Sequence, residues 1–179
     1  GLGVYLGMKA CINETQGNDS LQGKIVALQG FGHVSTNLAT HLIKENVQLI
    51  VTDIYEDVLE RASKLGATIV KPDEIYDVEC DIFSPNALGE VLNETTIPRL
   101  KCSIVAGGAN NQLQTIDDAD SLARSGILYA PDYIINAGGI INVSCEIGTT
   151  YSEKRARQKT EEIYYTTQRV IRESRMEGI

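Results

Sequence analysis

The stretch Gln29-Gly30-Phe31-Gly32-His33-Val34-Ser35 has the residue types that hold a phosphate without any cationic side chain. In a Gly-x-Gly-x-x-Gly spacing, the first glycine permits a tight turn off a strand. The second lets the backbone approach a pyrophosphate, and the third position must be small where helix meets strand. Ser35 is small enough for that third place. The helix that follows would add unpaired N–H groups and a partial positive charge at its first turn. Asp53 closes the run Leu49-Ile-Val-Thr-Asp53, 23 positions after Gly30. A carboxylate there accepts hydrogen bonds from ribose hydroxyls and repels a 2′-phosphate, and its neighbours Ile54 and Tyr55 bring no cation. The pair points to a dinucleotide, and to NAD over NADP. Two plainer uses remain open: a glycine turn serving only helix–sheet packing, and Asp53 as the N-cap of the next helix. His33 follows the second glycine and is within reach of a phosphate, but is given no catalytic role. His41, further along the same helix, is expected to be structural.

These groups need a scaffold, and the apolar pattern supplies one. Val4–Glu14 reads as a helix, with Val4, Met8 and Ile12 on one face. Lys24–Gln29 is a nearly continuous apolar run, as in a strand buried on both faces. His33–Asn46 is helical, with Val34, Leu38 and Leu42 four apart. Gln48–Asp53 is a strand, Glu56–Leu65 a helix, Thr68–Val70 a short strand and Pro72-Asp-Glu a helical turn. Cys80–Ser84 and Ser103–Ala106 are strands separated by a helical Leu88–Leu100 region. Asp117–Ser125 is a helix, Ile127–Ala130 a strand, and Tyr133–Glu146 and Ser152–Glu177 are helices. This alternation predicts an α/β fold: a doubly wound, Rossmann-type, mostly parallel sheet of about six strands with helices on both faces. The whole of 1–179 is expected to form one dinucleotide-binding domain with two flanking end helices.

Composition narrows the partners. The chain has 179 residues, 42% of them hydrophobic, and 24 acidic against 16 basic side chains, a net charge of −8. Such a chain has apolar content for a full core. It lacks the basic stripe that nucleic-acid binding requires, and no apolar run approaches the roughly 18 residues that span a bilayer. Cys11, Cys80, Cys102 and Cys145 are widely spaced, form no Cys-x-x-Cys, and share no zinc-ligand spacing with the two histidines. They read as four buried thiols of a reduced cytoplasmic protein with no metal site. The chain starts at Gly1, without a signal peptide, and a helical pattern begins at once, as if cut from something longer.

Three further segments fall at strand C-terminal ends, where doubly wound folds place ligands. They are Ser84-Pro-Asn-Ala-Leu-Gly89, Ala106-Gly-Gly-Ala-Asn-Asn-Gln-Leu113, and Ala130-Pro-Asp-Tyr-Ile-Ile-Asn-Ala-Gly-Gly-Ile-Ile-Asn-Val143. With Gly30-Phe-Gly32-His-Val and Ile75-Tyr-Asp-Val-Glu-Cys-Asp-Ile82, they resemble the C-terminal, NAD-binding domain of the Glu/Leu/Phe/Val amino-acid dehydrogenases, nearest the leucine, valine, phenylalanine and tryptophan branch. The resemblance covers essentially the whole chain. It implies oxidative deamination of an L-amino acid to a 2-oxo acid and ammonia, with hydride passed to NAD in a cleft between two domains. It implies that Gly30, Gly32, His33, Val34, Asp53 and Ile54 belong to the cofactor turn and ribose acid. Asn86 and Ala87 would line the adenosine and nicotinamide-ribose side, and Ala109 and Asn110 the loop at the nicotinamide ribose. Asn136 would lie near nicotinamide and substrate, and Gly139, Ile140 and Val143 at an apolar side-chain pocket, favouring an apolar amino acid. Gly138-Gly139 would cost about 2 kcal/mol in a helix interior, which suits close approach by a ligand.

The chain departs from the family pattern in places. His33 and Asn86 stand where this branch commonly has Asn and Cys. The family's catalytic lysine and aspartate lie in an N-terminal domain, the lysine on a Gly-Gly-Gly-Lys motif that is absent here. The resemblance therefore implies a missing catalytic domain as partner, no catalytic residue in this chain, and a homo-oligomer for the full-length protein. Two competing readings are a stand-alone NAD-binding regulatory module without catalysis and a 2-hydroxy-acid dehydrogenase; sequence upstream of Gly1 separates them. The end helices are expected to lean toward the missing domain and leave Met8, Ile12, Ile163 or Val170 partly uncovered.

Overall fold

In the computed structural model, residues 1–145 and 152–178 are described. Six strands make one parallel sheet: β1 (Ile25–Gln29), β2 (Gln48–Thr52), β3 (Thr68–Ile69), β4 (Ile82–Pro85), β5 (Ile104–Val105) and β6 (Leu128–Tyr129), in the order β3-β2-β1-β4-β5-β6. All pairings are parallel, and the register sets Ala27 beside Ile50 on one side and Phe83 on the other. The β1 run is apolar throughout its centre because both faces are covered: Val26, Ala27 and Leu28 are wholly buried. The chain reverses its direction of growth across the sheet between β1 and β4. The loops leaving those two strands meet there, Gly30 against Ala87, at the strand ends where doubly wound folds place ligands.

Among the described residues, seven helices flank the strands: α1 (Leu2–Gln16), α2 (His33–Lys44), α3 (Glu56–Lys64), α4 (Asp117–Arg124), α5 (Asp132–Ile135), α6 (Gly138–Ser144) and α7 (Glu153–Glu177). Ser152 caps α7 by accepting a hydrogen bond from Arg155 N, and Gly17 ends α1 in the left-handed conformation. The doubly wound architecture is as the alternation predicts, with strand ends displaced by a residue or two.

Several elements differ from the sequence reading. Leu88–Leu100 is not a helix; it is an extended loop with a single 3₁₀ turn at Ile97–Arg99. Asn93 Oδ1 accepts from Thr95 N and Thr96 N, and Thr96 Oγ1 donates to Val91 O. Such local side-chain bonds compete with helical ones, while Leu92 N turns to Gln112 O instead. The helix expected over Tyr133–Glu146 is broken into α5 and α6 at Asn136 and Ala137, just ahead of Gly138-Gly139; its end at Glu146 lies outside the described residues.

The end helices are also not an uncovered surface. Met8 and Ile12 are wholly buried, Ile163 is buried, and Val170 is half-buried against the same core that includes β1 and β2. Polar pairs lock α1 to α7: Gln168 Nε2 donates to Asn13 Oδ1 at 2.7 Å, and Arg172 pairs with Glu14. The stripes find each other within one chain at Met8, Ile12 and Ile163, while Val170 stays partly uncovered as expected and Tyr165 and Met176 of α7 are exposed. Finally, only Cys11 and Cys145 are buried; Cys80 and Cys102 are partly exposed.

Candidate functional site: a crevice at the strand C-terminal ends

The turn after β1 is built by three interlocking constraints. Gly30 has φ +91°, and a Cβ there would lie 2.7 Å from the Ala87 side chain, so glycine is required both for the conformation and for the approach of the two loops. Gly30 N donates to Thr52 O at 2.8 Å. The buried Ser35 hydroxyl donates to Gly30 O at 2.7 Å, so the third motif position is small and also ties helix to turn. Gly32 is the N-cap of α2, with no side-chain cap bond, and a Cβ added to it would meet nothing within 4 Å. The first amides of α2 therefore face open space with no side chain competing for them. This is a fitting cradle for a pyrophosphate, since donors and room coincide.

Asp53 serves the turn directly. Its Oδ2 accepts from Phe31 N at 2.7 Å, and its Oδ1 accepts from Ile54 N and Tyr55 N. It is not the N-cap of α3; that position is Tyr55, which makes no side-chain cap bond. The carboxylate joins the end of β2 to the glycine turn, and its remaining lone pairs are available to ribose hydroxyls. Ile54 and Tyr55 beside it are exposed. His33 is exposed at the start of α2. It shares a cavity of about 400 Å³ with Gly32, Thr36, Asn37, Thr40 and Arg61. Arg61 comes from α3 and puts a cation beside the turn that reading the neighbours of Asp53 had missed. His41 is structural, stacked on Tyr5 with ring centroids 4.9 Å apart. Burial, with the nearby Lys44, lowers its pKa.

Across the crevice, the loops after β4 and β5 are held by amides. Asn86 Nδ2 donates to Ser84 O and Oγ, both at 2.9 Å, and Asn86 Oδ1 accepts from Gly108 N at 2.8 Å. Ala109 N donates to Pro85 O at 3.0 Å. Val34 packs against Gly108, where any Cβ would collide with its Cγ1. Asn86 thus clamps one loop to the other, and Ala87 is set against Gly30. Gln112, which sequence reasoning did not single out, is wholly buried and donates to Gly107 O and Ala109 O at 2.7 and 2.9 Å. Its own N–H goes to Asp132 Oδ2 at 3.1 Å. The signal that could have found it is a polar Asn-Asn-Gln run straight after an apolar strand.

The third face comes from α5 and α6. Asn136 Nδ2 donates to Asn110 Oδ1 at 2.8 Å. These two residues, with Tyr133, Ala137, Gly139, Ile140 and Val143, line a concavity of about 510 Å³. The structure brings together the residues expected at the nicotinamide side and those expected at the apolar pocket. Ile140 and Val143 are 77% and 56% exposed, and Tyr133, another residue the sequence did not suggest, is 75% exposed. Among the described residues, nothing covers this wall.

Comparison with known proteins matches this arrangement. Residues 51–175 match the family described as Glutamate/Leucine/Phenylalanine/Valine dehydrogenase. The chain is 52% identical over 178 residues to a leucine dehydrogenase of Thermoactinomyces intermedius, covering 99% of this chain and 48% of that protein. It is 45% identical over 180 residues to an L-tryptophan dehydrogenase of Nostoc punctiforme, covering 99% and 51%. The crystal structure of L-tryptophan dehydrogenase from Nostoc punctiforme superposes with a TM-score of 0.96, covering 99% of this chain and 55% of that one. The hetero-hexameric glutamate dehydrogenase of Thermus thermophilus, at 21% identity and a TM-score of 0.72, shares the fold. The chain spans about half the length of the relatives it matches.

Proposed function

The chain belongs to the Glu/Leu/Phe/Val dehydrogenase family, and from that premise we propose that it is the NAD-binding domain of an enzyme that oxidatively deaminates an apolar L-amino acid to a 2-oxo acid and ammonia. The observation that carries this reading is that two unlike surfaces lie at the same, C-terminal end of the sheet. On one side are the open first turn of α2 and Asp53, and on the other the Asn110–Asn136 pair beside bare Ile140 and Val143.

NAD held by these residues would supply the acceptor for the hydride that leaves the substrate α-carbon. This chain's residues do the positioning. The α2 amides and the Gly30–Gly32 backbone hold the pyrophosphate, and Asp53 accepts from the adenosine ribose. Asn86 and Gln112 keep the Gly107–Asn110 loop in place, and the Asn136–Asn110 bond orients the polar edge of the nicotinamide side. Ile140 and Val143 present an apolar wall to the substrate side chain. Proton transfer falls to a lysine and a carboxylate of the N-terminal catalytic domain, positioned within hydrogen-bond reach of the reacting centre. We assign the full-length protein to a cytoplasmic homo-oligomer.

Fluorescence titration tests the cofactor half. NADH should bind the chain more tightly than NADPH, and equal or tighter NADPH binding overturns the choice of NAD. The purified chain by itself should not turn over leucine, valine, phenylalanine or tryptophan, whereas supplying the catalytic domain in the same polypeptide should.

A further inference from the structure

Cys80 and Cys102 are 22 positions apart in sequence and adjacent in the fold. The parallel register pairs Glu79 with Lys101 and Ile82 with Ile104, a constant offset, so Cys80 stands opposite Cys102. Cys80 N donates to Lys101 O at 3.3 Å, which ties the two positions together across the strands. Neighbouring strands lie about 4.8 Å apart, inside the roughly 4.4–6.8 Å of Cα separation that a disulfide accepts. Both cysteines precede the named strands and are partly exposed. A small oxidant can reach them, and closure moves only the sheet's N-terminal rim. The pair lies at the opposite end of the sheet from the crevice.

We propose that Cys80 and Cys102 form a reversible redox site, oxidised by hydrogen peroxide to an intrachain cross-strand disulfide. Cys102 is the attacking sulfur. The adjoining Cys80 thiol lowers the pKa of Cys102, against the opposing effect of burial and with help from neighbouring backbone N–H groups, while the Cys102 sulfur and burial push Cys80 up. The Cys102 thiolate attacks a peroxide oxygen and the O–O bond breaks, leaving the sulfenic acid and one water once protonated. Cys80 sulfur then attacks the sulfenic sulfur. The S–O bond breaks, the S–S bond forms and a second water leaves with the thiol proton. Two thiols lose two electrons and one peroxide becomes two waters. In a reducing compartment such a bond is transient, as befits a sensing rather than a structural disulfide.

Peptide mapping after hydrogen peroxide treatment and alkylation of the native chain tests this. The expected result is a Cys80–Cys102 linked peptide, reversed by dithiothreitol and formed at least about tenfold more slowly in urea, where the two are no longer held together. In Cys80→Ser, Cys102 should stop at a sulfenic acid that dimedone traps. Cys102 passing to sulfinic acid in the native wild-type chain without any link, both thiols remaining reduced, or equal linking in urea would each overturn the proposal.

Discussion

The glycine turn after β1 and the wall made by α5 and α6 both lie at the C-terminal end of the sheet but are held in opposite ways. The turn is complete within this chain. Each of its constraints is a short bond to a neighbouring element: Gly30 to Thr52, Ser35 to Gly30, Asp53 to Phe31. The wall is open. Ile140 and Val143 show most of their surface, and the helix carrying them buries none of its residues. Folding energy shapes the first region before any ligand arrives, whereas the second awaits a facing surface. A mutation in the turn should therefore disturb both folding and nucleotide binding, and one in the wall should disturb catalysis in the full-length protein while leaving the chain's stability alone.

The largest expected effect is at the turn. Gly30→Val forces a β-branched residue into a left-handed conformation and into Ala87. It should cost about 2–3 kcal/mol, lower the melting temperature by roughly 5–10 °C, and abolish NADH binding in a fluorescence titration. Asp53→Ala removes a charged acceptor from Phe31 N and from the ribose. Loss of about 1.5–3 kcal/mol should weaken NADH by about tenfold to a hundredfold and shrink its advantage over NADPH. Unchanged cofactor selectivity would mean that Asp53 only braces the turn. Arg61→Ala should weaken NADH about threefold to tenfold, less at high salt because the exposed charge is screened.

The frame under both regions answers to pH. Glu45 accepts from Tyr5 OH, Lys9 Nζ and Leu21 N. Burial alone would raise its pKa, but these bonds outweigh burial and hold it below the usual carboxylate range. The stability it lends is thus fully present above an unfolded pKa near 4.3 and is lost as pH falls through the lower folded value. Glu45→Gln should flatten the acid limb of a melting-temperature profile and leave the neutral region of that profile level. The smallest stability change belongs to the wall. Ile140→Ser should shift the stability of this chain by no more than about 0.5 kcal/mol, yet lower kcat/KM of the full-length enzyme for apolar amino acids about tenfold or more. A large loss of stability here would break the contrast between the two regions.

Much of this was legible in the chain itself, and the reasons differ by element. The β1 run, the two-glycine turn and the amphipathic α2 are local in sequence, and Asp53 follows at the end of β2, so spacing alone located the strand–turn–helix unit that Asp53 braces. Leu88–Leu100 misled because its apolar spacing is helix-like, while the choice against helix came from Asn93 and Thr96 bonding to nearby backbone and from Leu92 joining Gln112. Cys80 and Cys102 looked unrelated because no local spacing joins them; only the register of β4 and β5 does.

By itself, the sequence determined the alternation of strands and helices, the glycine turn, the place of Asp53 at the end of β2 and the family resemblance, because each depends on residues close together along the chain or on motifs complete within a short segment. Tertiary structure alone decided which residues face one another. It paired α1 with α7 and so covered Met8 and Ile12, and it broke the helix before Gly138 so that Asn136 could reach Asn110. It also buried Gln112 beneath the Gly107–Asn110 loop and brought Arg61 to the turn. The physical reason is that side-chain periodicity records which face of an element is apolar, while the identity of the surface that covers that face is settled only when distant segments compete for it during packing.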